Sequence, residues 1–136
     1  MGRVTRFMLD TNTASSLMKG QSSVVARLAA ESPERLCLSV VTEAELLFGI
    51  AKRPEVRKLR IAVAELLAAI EVVAWSGATA RRYATIRAEL ERRGEPLGPL
   101  DLLIAAHAVQ HDAVLVTNDR AFGVVPGLRL EDWTQA

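Results

Sequence analysis

Residues 36–41, Leu-Cys-Leu-Ser-Val-Val, and residues 114–116, Val-Leu-Val, are apolar along their length instead of at every second position. A strand written that way has no face for water, so it must lie inside a sheet covered on both sides. A helix-length segment separates each such run from the next, the alternation of parallel sheets, whose crossovers need a dozen or more residues. The same frame takes strands over residues 4–9 and 72–75 and an edge strand over residues 128–130. Helices are predicted over residues 11–19, 22–30, 42–50, 55–70 and 78–93, with another opening near Asp101. The 55–70 segment is the clearest, since Val56, Leu59, Val63, Leu66, Leu67 and Ile70 follow a 3.6-residue period. Gly20 and Gly94 stand where helices should stop. The expectation is an α/β fold whose central, mostly parallel sheet has about five short strands.

The chain has 136 residues, which suits one domain over residues 1–136 that removes roughly 70% of its unfolded surface from water. Only 4% of residues are aromatic, so Leu, Val, Ile and Ala have to build the core. The lone cysteine, Cys37, excludes an internal disulfide and a Cys-built zinc site. No apolar run approaches the ~18 residues that cross a bilayer, and the amino terminus lacks a signal-peptide core. The expected location is cytoplasmic, with no membrane partner. Seventeen basic and 16 acidic residues leave a net charge of +1, so nucleic-acid binding cannot be read from charge balance.

Four acidic residues occupy one predicted edge. In a parallel α/β sheet each strand's carboxyl end and the next helix's amino end share an edge, where ligands bind at the point of strand-order reversal. Asp10 ends the first strand, and Glu45 lies one turn into the helix after the second. Asp101 is in the first turn of its helix, and Asp119 follows the strand after it. Singly, each reads as a helix cap, with Thr42 and Glu45 spaced as a capping box. Together they need more, because two unit charges ~4 Å apart interact by about 4 kcal/mol at an effective dielectric of 20. Such a cluster protonates in part or recruits a cation. Oxygen-only donors select a hard ion, Mg²⁺ or Mn²⁺, over zinc. A hard ion that keeps open positions suits phosphodiester hydrolysis.

These residues resemble the PIN-domain family, and within it the VapC toxins of bacterial toxin–antitoxin pairs. MLDTN at 8–12 is similar to the family's opening strand and first acid. SVVTEAELLFG at 39–49, PLDLLIAAHA at 99–108 and LVTNDRAF at 115–122 resemble the blocks carrying the other three, and LRLEDW is a typical ending. The resemblance implies a PIN-like α/β/α sandwich and a metal-dependent endoribonuclease, with Asp10, Glu45, Asp101 and Asp119 as catalytic and metal-binding residues. It implies an RNA substrate, a homodimer, and inhibition by a cognate VapB-like antitoxin. The alternative is a PIN-fold scaffold that binds RNA or protein without cleaving.

Around the acids, Thr11, Asn12, Thr117 and Asn118 are candidates to orient carboxylates or waters. Glu43, about 200° around the helix from Glu45, is expected to be peripheral. An acidic site repels RNA, so binding charge must come from elsewhere. Ten of the 17 basic residues lie between positions 52 and 93, and Arg81, Arg82, Arg92 and Arg93 are the candidates to track the backbone. Val24, Val25, Leu59 and Ile61 are candidates to line a groove for a partner helix. His107 and His111 have a spacing zinc sites use, but no Cys or HExxH pattern accompanies them.

Overall fold

The computed structural model describes residues 4–135. In chain order the elements are β1 (Phe7–Leu9), α1 (Thr11–Met18), α2 (Ser22–Ala29), β2 (Leu36–Ser39), α3 (Val40–Ala51), α4 (Arg57–Ala69), β3 (Glu71–Val73), α5 (Gly77–Arg93), α6 (Pro99–Gln110), β4 (Val114–Val116) and β5 (Arg129–Glu131). Short 3-10 turns occupy Pro33–Arg35 and Arg120–Val124. The sheet order is β3-β2-β1-β4-β5 and every pair is parallel, so the sheet is parallel throughout and not merely in most of its pairs.

Successive strand residues feed opposite faces. Met8, Cys37 and Leu115 pack under α5 and α6 with Ile86, Leu90, Leu102 and Ile104. Phe7, Leu9, Leu38, Val114 and Val116 pack on the other side with Ala14, Val24, Val63 and Leu66 from α1, α2 and α4. Both faces are therefore dry, which is why the strands carry no polar alternation. Burial in this core pushes the Cys37 thiol up to about 11, so it is an inert packing group.

The chain steps from β1 through β2 to β3, then crosses back to place β4 on the other side of β1. Strand order thus reverses between β1 and β4. Leu9 is level with both Leu38 and Val116, so the carboxyl ends of the three central strands line up at that reversal.

Several boundaries move from the sequence expectation. β1 begins at Phe7, not at residue 4, where Val4 is 66% exposed. β2 stops at Ser39, whose hydroxyl accepts the Val41 N–H and caps α3. The β-branched pair Val40-Val41 reads as strand, but this cap starts the helix there. Thr42 is consequently inside the helix and fully buried, and the Thr42–Glu45 capping box does not form. β3 is Glu71–Val73, which leaves Trp75 beyond the strand. Gly94 ends α5 in the left-handed conformation (φ 66°), as the sequence pattern requires.

Candidate acidic active site

Asp10 follows β1 directly and is 3% exposed. Its N–H continues the β1–β4 ladder to the Val116 carbonyl at 3.0 Å, and its Oδ1 accepts the Thr13 N–H at 2.8 Å as the cap of α1. Thr13 adds a hydroxyl bond to the same Val116 carbonyl at 2.9 Å. The first acid is therefore fixed at the seam where strand order reverses. Asp119 follows the neighbouring strand. Its N–H donates to the buried Thr117 hydroxyl at 3.0 Å, and its Oδ1 accepts the Ala121 N–H at 2.9 Å to start a 3-10 turn.

Glu45 reaches the same edge from α3, where its Oε1 accepts the Thr11 hydroxyl at 2.6 Å. Asp101 arrives from above, in the first turn of α6 behind Pro99. Its Oδ2 lies 3.5 Å from where a Cβ on Gly98 would stand, so the carboxylate folds back over the helix start. Among the described residues the Asp101 carboxylate makes no hydrogen bond, and no Lys or Arg forms an ion pair with any of the four acids.

Convergence shows in the electrostatics. Burial, then the charges of Asp119, Glu45 and Asp10, hold the Asp101 carboxyl above its ordinary range. Residues separated by up to 109 positions thus act on one carboxylate. Glu43 is not among them, in keeping with a peripheral place. Among the described residues no three His, Cys, Asp or Glu side chains close on a single point as a finished cage. A gathering of unneutralised, oxygen-only donors nevertheless fits a hard divalent ion that takes the rest of its shell from water or substrate.

The expected supporting residues divide. Thr11 and Thr117 hold Glu45 and the Asp119 backbone as described. Asn12 and Asn118 are exposed and hydrogen-bond to none of the four acids. The basic residues divide too. Thr79 bonds Gln110 at 3.0 Å, so α5 starts beside the end of α6 and runs antiparallel to it. Arg81 and Arg82 line a hollow with Gln110, at the far end of α6 from Asp101. Arg92 and Arg93 lie near the acid end, and both pair with Glu89. Of the groove candidates, Val24 is fully buried core, whereas Val25 and Ile61 are 41% and 46% exposed. A hollow of about 800 Å³ between α2 and residues 131–135 stands apart from the acids. Its lining includes Arg27, Glu131 and Asp132 beside Trp133, and Arg27 pairs with Glu131 at 3.2 Å, so the charge there is neutralised within the hollow.

Sequence reasoning missed Ser39 and passed over His107. Both His107 ring nitrogens are engaged, Nδ1 with the Ser39 hydroxyl at 2.7 Å and Nε2 with the Ala74 carbonyl at 3.2 Å, which leaves none for a metal. The available signal was a single polar residue inside the run Leu-Leu-Ile-Ala-Ala-His-Ala.

Residues 7–128 match the family model described as PIN domain. A tRNA(fMet)-specific endonuclease VapC of Salmonella typhimurium is 36% identical over 129 residues, covering 94% of this chain and 98% of that protein. The Shigella flexneri protein of the same description is 38% identical over 131 residues, covering 95% and 98%. The structure of DNA-bound VapBC from Salmonella typhimurium superposes with a TM-score of 0.89 at 36% identity, over 96% of this chain and 99% of that one. VapBC2 of Rickettsia felis, bound to a promoter DNA fragment, gives 0.86 at 30% identity, over 95% and 99%.

Proposed function

The chain belongs to the PIN-domain family, and from that premise we propose that it is a metal-dependent endoribonuclease, the toxin of a VapBC-type pair. The observation that carries this reading is the gathering of Asp10, Glu45, Asp101 and Asp119 at one sheet edge with no Lys or Arg paired to them among the described residues; burial first, and then the three other charges, hold the Asp101 carboxyl high there. Asp10, Glu45, Asp101 and Asp119 would hold the ion, which when bound supplies an activated water and offsets charge on the phosphate. Mg²⁺ and Mn²⁺ are the ions such donors favour.

The chain's own residues divide the remaining work. The β1–β4 ladder and the Thr13 N–H fix Asp10, so its carboxylate does not reorganise on binding. Thr11 turns Glu45 inward with one hydroxyl bond. Thr117 pins the Asp119 backbone. Asp101, its carboxylate without a hydrogen bond, is the acid whose charge a ligand would most relieve. Because the acids repel a polyanion, RNA is held by basic residues off the site, with Arg81, Arg82, Arg92 and Arg93 on α5 as the candidates.

The described names of the relatives make tRNA(fMet) the first substrate to test, and a VapB-like antitoxin the first inhibitor. Leu47, Phe48, Val25 and Ile61 are exposed apolar side chains available to a homodimer contact or to that antitoxin. The test is cleavage of tRNA(fMet) and of unrelated RNA by purified protein with Mg²⁺, Mn²⁺ or EDTA. Cleavage that requires the ion and stops on adding the neighbouring gene's product is expected. A protein that binds RNA but leaves it intact under all conditions overturns the nuclease reading in favour of a scaffold.

A further inference from the structure

Three of the four acids are tied locally: Asp10 by the sheet ladder and α1, Asp119 by Thr117 and its turn, Glu45 by Thr11. Asp101 has no such tie, so its place depends on where α6 lies. The buried side of that helix is Leu102, Ile104, Ala105, Ala106 and Ala108. Such a surface attracts its neighbours without direction, so the contacts of fixed direction that α6 makes are its side-chain hydrogen bonds. Among the described residues, the side-chain hydrogen bonds that leave α6 come from His107 and Gln110 alone, and Gln110 reaches only α5.

His107 is fully buried, and its ring meets Trp75 in a T-shaped contact with centroids 5.5 Å apart. The Ala74 carbonyl can only accept, so Nε2 carries the proton and Nδ1 is the acceptor. Ser39 must then donate its hydroxyl proton to Nδ1 while its oxygen accepts the Val41 N–H. Each proton in this chain has one acceptor, which fixes both the tautomer and the ring's direction. Burial, with a smaller contribution from His111, lowers the ring to about 4, so it is neutral where the network needs it neutral.

We propose that His107 is a positioning residue: by joining α6 to the cap of α3 it sets the distance between Asp101 and Glu45, and so the geometry of the acid cluster. This rests on the nuclease reading and adds a residue that touches neither substrate nor ion. The α3 link matters more than the Ala74 link, because α3 carries Glu45 whereas Ala74 lies in the exit of β3.

The two bonds can be separated. His107→Asn keeps an acceptor near the position of Nδ1 and withdraws from Ala74, while His107→Gln reaches toward Ala74 and withdraws from Ser39. Each variant is compared with wild type for kcat and KM on RNA and for Mn²⁺ affinity by calorimetry, below its melting transition. His107→Asn should stay within about threefold of wild type, whereas His107→Gln should lose about tenfold in kcat and several-fold in Mn²⁺ affinity at little-changed KM. If His107→Gln does not fold, Ser39→Ala cuts the same link from the other side and should show the same loss. Equal kcat in the two link-specific variants, or unaltered kcat and Mn²⁺ affinity beside a lowered melting temperature, overturns the proposal. Wild-type protein that neither binds Mn²⁺ nor cleaves overturns the nuclease reading and this inference with it. Active wild type beside indifferent variants overturns this inference alone.

Discussion

Asp10 uses its two carboxylate oxygens differently, since Oδ1 caps α1 and Oδ2 has no hydrogen bond among the described residues. Asn caps a helix as well as Asp does, so Asp10→Asn should lose cleavage with no fall in melting temperature. Asp10→Ala should lose cleavage and about 1 kcal/mol of stability as well, read by urea unfolding. A stability loss in Asp10→Asn equal to that in Asp10→Ala would mean the charge itself, not the cap, holds α1. Asp101 gives a pH prediction of opposite character. Its carboxyl is raised in the folded protein by burial and by Asp119, Glu45 and Asp10, so ionising it costs more folded than unfolded. The metal-free protein therefore keeps this contribution below the ordinary carboxylate range and loses it as pH rises through the raised value. In EDTA, Asp101→Asn should melt above wild type at neutral pH and lose that advantage at a pH where carboxylates are protonated. Added Mn²⁺ should raise the melting temperature of wild type but not of the variant. A variant that melts below wild type at neutral pH in EDTA would contradict the crowded-acid picture.

At the scale of elements, α5 tests how RNA is held. Arg92 and Arg93 lie toward the acid end of α5 and Arg81 and Arg82 toward its start, and Arg82 and Arg93 line one hollow along the helix, so the two pairs grade along a single face. Replacing Arg92 and Arg93 with Gln should raise KM and flatten its salt dependence with kcat little changed, while replacing Arg81 and Arg82 should do less. The reverse ranking would place the RNA along the far half of α5. What the sequence disclosed follows the range of the forces involved. The α4 stripe was legible because 3.6-residue spacing is local: Val63, Leu66 and Ile70 are buried, and Val56, Leu59 and Leu67 partly so. The four acids were legible because parallel topology alone brings strand ends and helix starts to one edge. The β2–α3 boundary was not, since Leu-Cys-Leu-Ser-Val-Val is written like a strand and a single Ser39 hydroxyl ends it. Nor was the Ser39–His107 bond, which joins positions 68 residues apart with no periodic signal at either. Asn12 and Asn118 flank acids in sequence, yet they are exposed and hydrogen-bond to none of the four carboxylates.

Across the whole molecule, a buried parallel sheet brings unneutralised carboxylates to the point where strand order reverses. The dry faces make β1 and β4 rigid, the crossovers deliver Glu45 and Asp101 from separate helices, and His107 holds the second delivery in register with the first. The resulting charge is destabilising on its own, and the proposed divalent ion would relieve it. The most direct measurement is Mn²⁺ calorimetry paired with RNA cleavage, on wild type and on the Asp10→Asn, Asp101→Asn double variant, with circular dichroism to confirm that both are folded. Wild type should bind Mn²⁺ and cleave, and the folded double variant should lose both binding and cleavage. Equal Mn²⁺ affinity in the two proteins, or cleavage that persists in the double variant, would contradict the account.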